Sequence, residues 1–108
     1  MSRDRYVVGV DLGTGGPKVA LMRVAGDLVG HEAAKVGLIL QPGGGAEQDP
    51  QAWWDAVAGC TRRLLERHRV PAESVAAICM SSQWGGLVPV DAAGRHLHNA
   101  VIWMGARG

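Results

Sequence analysis

The chain is 108 residues long, 47% hydrophobic and 19% charged, with a formal net charge of +1. That length allows one domain, and the near-neutral balance with scattered Lys and Arg points to no nucleic acid and no anionic membrane surface as a partner. No apolar run is long enough to span a bilayer and no basic-then-apolar leader opens the chain, so the expected location is the cytoplasm.

Tyr6 to Val10 reads as a continuous apolar strand that ends on Asp11. The turn Gly13-Thr14-Gly15-Gly16 follows, then Pro17 and Lys18, and a second apolar strand is expected over Val19 to Val24. An acid, a glycine turn and a cation in that order are the parts of a metal-phosphate site. Glycine lets the backbone approach a ligand closely, and successive N–H groups in such a turn form an anion-binding nest. Thr14 and Lys18 add side-chain donors. The same residues also satisfy a plain β-hairpin, and both readings stand at this point. Three features favour the site. Asp11 closes an otherwise apolar strand, Lys18 stands at the mouth of a buried one, and Thr14 has no packing role. The run matches neither the phosphate loop G-x-x-x-x-G-K-[ST] nor the dinucleotide fingerprint G-x-G-x-x-G.

After the turn Ala25-Gly26-Asp27, Leu28 to Leu40 reads as a third strand, completing an antiparallel meander, and Gln41 to Gly45 as a loop. Asp49-Pro50 announces a helix, with Asp as N-cap and Pro at the first helical position. Trp53, Val57, Cys60, Leu64 and His68 form its apolar stripe. Gly59, in mid-helix, costs about 1 kcal/mol against Ala and predicts close packing against another element. Arg62, Arg63, Arg67 and Arg69 read as a solvated helix face. Of the adjacent Trp53 and Trp54, one is expected to pack and the other to cover the Gly43 to Gly45 loop.

Val70-Pro71 closes the helix. Val75 to Met80 is apolar throughout, as in a strand covered on both faces. Leu87 to Val90, the turn Asp91 to Gly94, and His96 to Trp103 read as an extended pair. Cys60 and Cys79 share no metal spacing with His31, His68, His96 or His98. They are expected to be small buried thiols of a reducing compartment.

The order β-β-β-α-β plus a hairpin predicts an α/β fold, the opening portion of a ribonuclease-H-like or actin-like ATPase fold. The sheet is incomplete within 1–108, so the chain is expected to be a partial N-terminal domain of a longer protein. A nuclease of that fold would need several carboxylates converging on two metals, and Val75 to Gln83 carries none.

Four blocks now stand in order: Asp11 to Lys18; Ala46-Glu47-Gln48-Asp49-Pro50-Gln51-Ala52-Trp53-Trp54; Ser81-Ser82-Gln83-Trp84-Gly85-Gly86-Leu87-Val88-Pro89-Val90-Asp91; and Asn99-Ala100-Val101-Ile102-Trp103-Met104-Gly105-Ala106-Arg107. Together they resemble the N-terminal part of the FGGY carbohydrate kinases, especially the xylulose-kinase-like members, from about Tyr6 to the last residue. The resemblance implies ATP-dependent phosphorylation of a sugar or polyol hydroxyl, with ATP and Mg2+ as cofactors. It implies that Asp11 helps hold the magnesium, that Gly13, Thr14, Gly15 and Gly16 face the phosphates, and that Lys18 reaches them. It also implies that Gln83, Trp84 and Arg107 lie on the sugar side. Pro17 removes one backbone donor from the loop.

Two departures bear on the substrate. The family's Gln-Met-His-Gly is Gln83-Trp84-Gly85-Gly86 here, and its Trp-x-Asp-x-Arg is Trp103-Met104-Gly105-Ala106-Arg107. Trp84 is open to two readings, stacking on a sugar or anchoring the loop from below. No catalytic residue is expected within this chain, because the family's general base is an Asp further along. The alternative is a non-catalytic remnant, or one part of a split kinase that acts only with the remainder as partner.

Overall fold

A computed structural model describes residues 4–105. β1 (Tyr6–Gly13) and β2 (Gly16–Arg23) form an antiparallel hairpin, and β3 (Leu28–Ala33) pairs antiparallel with β2. β4 (Ile39–Gln41) and β5 (Gly45–Gln48) make a small second hairpin. Helix α1 (Pro50–Arg67) follows, then a 3-10 turn at Ala72–Ser74, β6 (Val75–Ser82) and β7 (Ala100–Val101). The main sheet has the order β3-β2-β1-β6, and a second sheet has the order β4-β5-β7. β6 runs parallel to β1, with Val8 opposite Ile78 and Val10 opposite Met80. A parallel neighbour reached through a helix is the crossover that the order of elements predicted.

Strand periodicity sorts β1 into two faces. Tyr6, Val8 and Val10 are buried with Val19 and Leu21 of β2 against Cys60 and Leu64 of α1. Burying a side chain such as Leu64 contributes on the order of 2 kcal/mol. Asp11, Lys18 and Ser81 therefore belong to the opposite face. α1 begins as its residues dictate: the Asp49 carboxylate accepts a hydrogen bond from the Gln51 N–H at 2.9 Å, and Pro50 needs no partner at the first position. Its stripe packs as expected. Among the arginines, Arg63 and Arg67 do more than solvate the helix. Both donate to the Glu32 carboxylate on β3, at 2.9 and 2.5 Å, which ties helix to sheet. Hydrogen bonds from Arg63 and Arg67 hold the Glu32 carboxyl below the ordinary glutamate range.

Several expectations are corrected. The segment read as one strand from Leu28 to Leu40 is interrupted. β3 ends at Ala33, and the Ala34 and Val36 N–H groups turn aside to donate to Pro17 O and Gly15 O, both at 3.1 Å. Strands one and two extend further into the turn than their apolar runs suggested. Leu87 to Trp103 forms no continuous ladder; it makes bridges at Leu87–Val101 and Val90–His96, while β7 pairs with β5. Cys60 is buried but Cys79 is exposed. β6 is covered on neither face: Ile78 and Met80 are 62% and 61% exposed, because α1 packs mainly over β2 and β3, barely reaches β1, and stops short of β6. A groove of about 670 Å³ remains there, lined by Leu12, Trp54, Val57, Leu65, Ile78 and Met80. Trp54 lies in that groove rather than over the Gly43 to Gly45 loop. Gly59 does not mark close packing against another element, since a Cβ there would meet only the Arg63 guanidinium of its own helix.

Candidate functional site

The site is built on the β1–β2 turn. Asp11 stands opposite Lys18 on β2 and Ser81 on β6, so carboxylate, ammonium and hydroxyl lie in one row across three strands. Asp11 and Lys18 are both exposed, and among the described residues neither forms an ion pair. Beside them a cavity of about 340 Å³ is lined by Asp11, Gly13, Gly15, Gly16, Lys18 and Ala34. The turn has no room for a side chain at Gly16. Gly16 has φ +128, and a Cβ there would lie 2.1 Å from the Ala34 carbonyl oxygen. The turn is narrow because the Ala34–Val36 backbone is bonded across it.

The opposite side of the turn meets the segment after β6. The Gln83 N–H donates to Leu12 O at 2.8 Å, carrying the β1–β6 pairing one residue past the strand. This places Gln83 beside Thr14. The Thr14 hydroxyl donates to Gln83 Oε1 at 3.4 Å, and Gln83 Nε2 donates to Gln48 Oε1 at 2.9 Å. Gln48 Nε2 in turn donates to Thr14 O at 2.6 Å. Two tryptophans complete the cluster: Trp53 Nε1 donates to Gln48 Oε1 at 3.1 Å, and Trp103 Nε1 to Thr14 Oγ1 at 2.8 Å. Gln48 is fully buried, so these bonds are what make its burial tolerable.

The sequence-predicted residues fall into three sets. Asp11, Gly13, Thr14, Gly15, Gly16 and Lys18 are brought together as one turn. Gln83 joins them through Thr14, with both ends of its amide engaged inside the protein. Trp84 follows at 85% exposure, which rules out a buried anchor under the loop. Gly85 has φ +70, a backbone that a His side chain adopts only with strain. Arg107 lies outside the described residues. At Gly105 a Cβ would sit 3.2 Å from both Ala46 N and Ile102 O, so the glycine fits a tight backbone crossing that an Asp would have to push apart. Gln48 and the indoles of Trp53 and Trp103 had no assigned part. Their one sequence signal is a polar pair, Glu47-Gln48, directly before a helix cap, and both residues are buried.

Among the described residues no group of three His, Cys, Asp or Glu is placed to hold a metal ion. Asp11 is the carboxylate of the site. One carboxylate suits Mg2+, a hard cation that keeps several waters and takes its remaining oxygens from phosphates.

The bacterial enzymes that this chain resembles act on different small polyhydroxy compounds. It is 31% identical over 103 residues to a xylulose kinase of Bacillus subtilis, a match covering 95% of this chain and 21% of that protein. It is 32% identical over 100 residues to a glycerol kinase of Stenotrophomonas maltophilia, covering 92% and 20%. The crystal structure of a gluconate kinase from Lactobacillus acidophilus superposes with a TM-score of 0.84 at 29% identity, over 94% of this chain and 20% of that one. The chain thus spans about a fifth of the length of the relatives it matches. Glycerol kinase of Plasmodium falciparum, at 15% identity and a TM-score of 0.81, shares the fold. A model of the N-terminal domain of the FGGY carbohydrate kinases matches residues 6–108, and with the sheet order and the turn described above it places this chain in the FGGY family of carbohydrate kinases.

Proposed function

We propose that this chain supplies the phosphate-facing turn and part of the hydroxyl-binding wall of a cytoplasmic, ATP-dependent kinase, with a xylulose-like ketose as the favoured substrate. The observation that carries the reading is the direct bonding of the Thr14 turn to the Gln83 segment. It sets the glycine turn and the Gln83 segment side by side at the carboxyl ends of β1 and β6, the end of an open α/β sheet at which ligands are taken.

In this proposal Asp11 would hold Mg2+, which supplies neutralisation of the charge spreading over the transferred phosphoryl group. Lys18 adds a compact positive charge beside it. The backbone of Thr14 to Gly16 orients phosphate oxygens. Trp84 offers an exposed aromatic face to the carbon side of a sugar, and Gln83 and Arg107 complete the hydroxyl wall. The proton acceptor for the substrate hydroxyl and the adenosine-binding loops come from the remainder of the kinase, so residues 1–108 are a partial N-terminal domain. A second reading, a non-catalytic remnant, is favoured by Gly105, where the resemblance expects an Asp and the backbone has closed over the position.

Coupled ADP release with xylulose, glycerol and gluconate is the test, run on the chain alone and on a chimaera in which it replaces the matching segment of a xylulose kinase relative. The chain alone gives no turnover and the chimaera phosphorylates xylulose. Asp11→Ala in the chimaera lowers kcat on the order of a hundredfold or more, because positioning is lost in the transition state. Gln83→Ala mainly raises KM. Turnover by the chain alone would move the base to Asp27, Asp49, Asp55 or Asp91. A chimaera that folds but is inert supports the remnant.

A further inference from the structure

We infer that Gln48 is a positioning residue that locks the Thr14 turn and the Gln83 loop into a single arrangement, so that the two are not independent loops. Gln48 closes β5, and its side chain is fully buried. Its carbonyl oxygen faces two donors, Gln83 Nε2 and Trp53 Nε1, and its amide nitrogen faces the Thr14 carbonyl oxygen. This assignment admits no flip. Reversal would set an NH2 against two N–H groups and an oxygen against a carbonyl. The fixed amide then orients its neighbour. Gln83 must aim its nitrogen at Gln48, which leaves Gln83 Oε1 toward the Thr14 hydroxyl.

Thr14 is fixed from two sides as well. Its carbonyl accepts from Gln48 and its hydroxyl oxygen accepts from the Trp103 indole, so the hydroxyl proton is directed to Gln83. Thr14, Gln83 and Gln48 thus form a closed ring of hydrogen bonds with one direction of donation. Gln48 is the fully buried member, with Thr14 and Gln83 half-buried, so leaving its amide unpaired is the costly loss and the bonds around it stand or fall together. The significance of the ring for ligands rests on the proposed function; its existence and Gln48's place in it do not.

The test reads the four tryptophan indole N–H signals by NMR in the 108-residue chain, assigned by single Trp→Phe changes. Protection from hydrogen exchange is expressed relative to exposed Trp54 in the same sample, which cancels the intrinsic pH dependence. Trp103 and Trp53 are protected and Trp84 is not. Gln48→Met keeps the volume and removes every polar contact. It lowers protection of the Trp103 indole about tenfold, although that indole bonds Thr14 and not Gln48. Gln48→Glu changes a single group. At neutral pH its carboxylate still accepts from Trp53 and Gln83 but opposes the Thr14 carbonyl, so Trp53 stays protected and Trp103 loses protection. On acidification the protonated carboxyl regains a donor for Thr14 O, and Trp103 protection recovers. A residue needed only for packing gives no such pH-dependent rescue. Unchanged Trp103 protection in folded Gln48→Met, or Gln48→Glu without recovery in acid, overturns the inference. If Gln48→Met does not fold, the Gln48→Glu pH series decides. Neither arm uses ligand or turnover, so an inert chimaera leaves this result standing.

Discussion

Gly16→Ala tests the turn most sharply, because its control lies one residue away. Gly16 has φ +128, and a Cβ there would lie 2.1 Å from Ala34 O and 2.9 Å from Val36 N. Holding a non-glycine residue in such a backbone region costs about 2 kcal/mol. The Ala34–Val36 segment must also move off the turn, losing the bond from Val36 N to Gly15 O, worth about 1 kcal/mol. A loss of about 3 kcal/mol is expected, a large share of the roughly 5–15 kcal/mol that keeps a domain folded. Gly15→Ala meets no atom within 4 Å and needs no left-handed backbone. It is expected to be neutral, or to stabilise by about half a kcal/mol through the unfolded chain. Urea titration followed by tryptophan fluorescence measures the difference. With a slope of about 1 kcal/mol per molar urea, the Gly16→Ala midpoint falls by about 3 M while that of Gly15→Ala stays in place. Equal midpoints would show that the Ala34–Val36 segment does not press on the turn.

Two further outcomes follow from the surface. The Glu32 pKa is lowered in the folded chain, so the stabilisation from Arg63 and Arg67 is full above the ordinary glutamate pKa and is lost as pH falls through the lower folded value. Thermal melts of the unaltered chain and of Glu32→Gln should therefore differ near neutral pH and converge in acid; a pH-independent gap would deny the carboxylate its role. Met80→Lys places a charge on the open face of β6 and should reduce self-association in light scattering, with stability changed by less than about 0.5 kcal/mol. Unaltered scattering would mean that the exposed strand is not the adhesive surface.

The parts of this molecule written in local chemistry were legible in its sequence. Asp49-Pro50 names its own cap, and the apolar runs of β1, β2 and β6 sit where their composition puts them. Asp11, the glycine turn and Lys18 stand together in the fold as their adjacency in the chain requires. What escaped was set by distant partners. Leu28 to Leu40 has strand composition throughout, but its second half is diverted because Gly15 O and Pro17 O across the turn capture its N–H groups. Cys79 and Met80 look like core residues, but α1 packs mainly over β2 and β3, which leaves Met80 open on the helix side, and Cys79 lies on the opposite face of the sheet, which the helix does not cover. Gln48 has only its place beside Glu47 and before the helix cap to separate it from a surface glutamine. Its burial depends on residues 34 and 35 positions away and on an indole one helical turn ahead.

The partial cover of the sheet has a calorimetric consequence. The chain exposes 7080 Å², where a compact protein of 11.4 kDa exposes about 5,800 Å². Its radius of gyration is 16.2 Å against about 13 Å for a chain of this length. With slightly more than half of the excess apolar, the heat capacity gained on unfolding falls short by about 0.2 kcal/mol/K, from about 1.4 for an ordinary domain this size. Its stability curve is correspondingly flatter, and the melting enthalpy per residue falls below that of a fully enclosed fold. The residues 4–105 plate therefore loses its structure over a wider span of temperature than a domain closed on all sides.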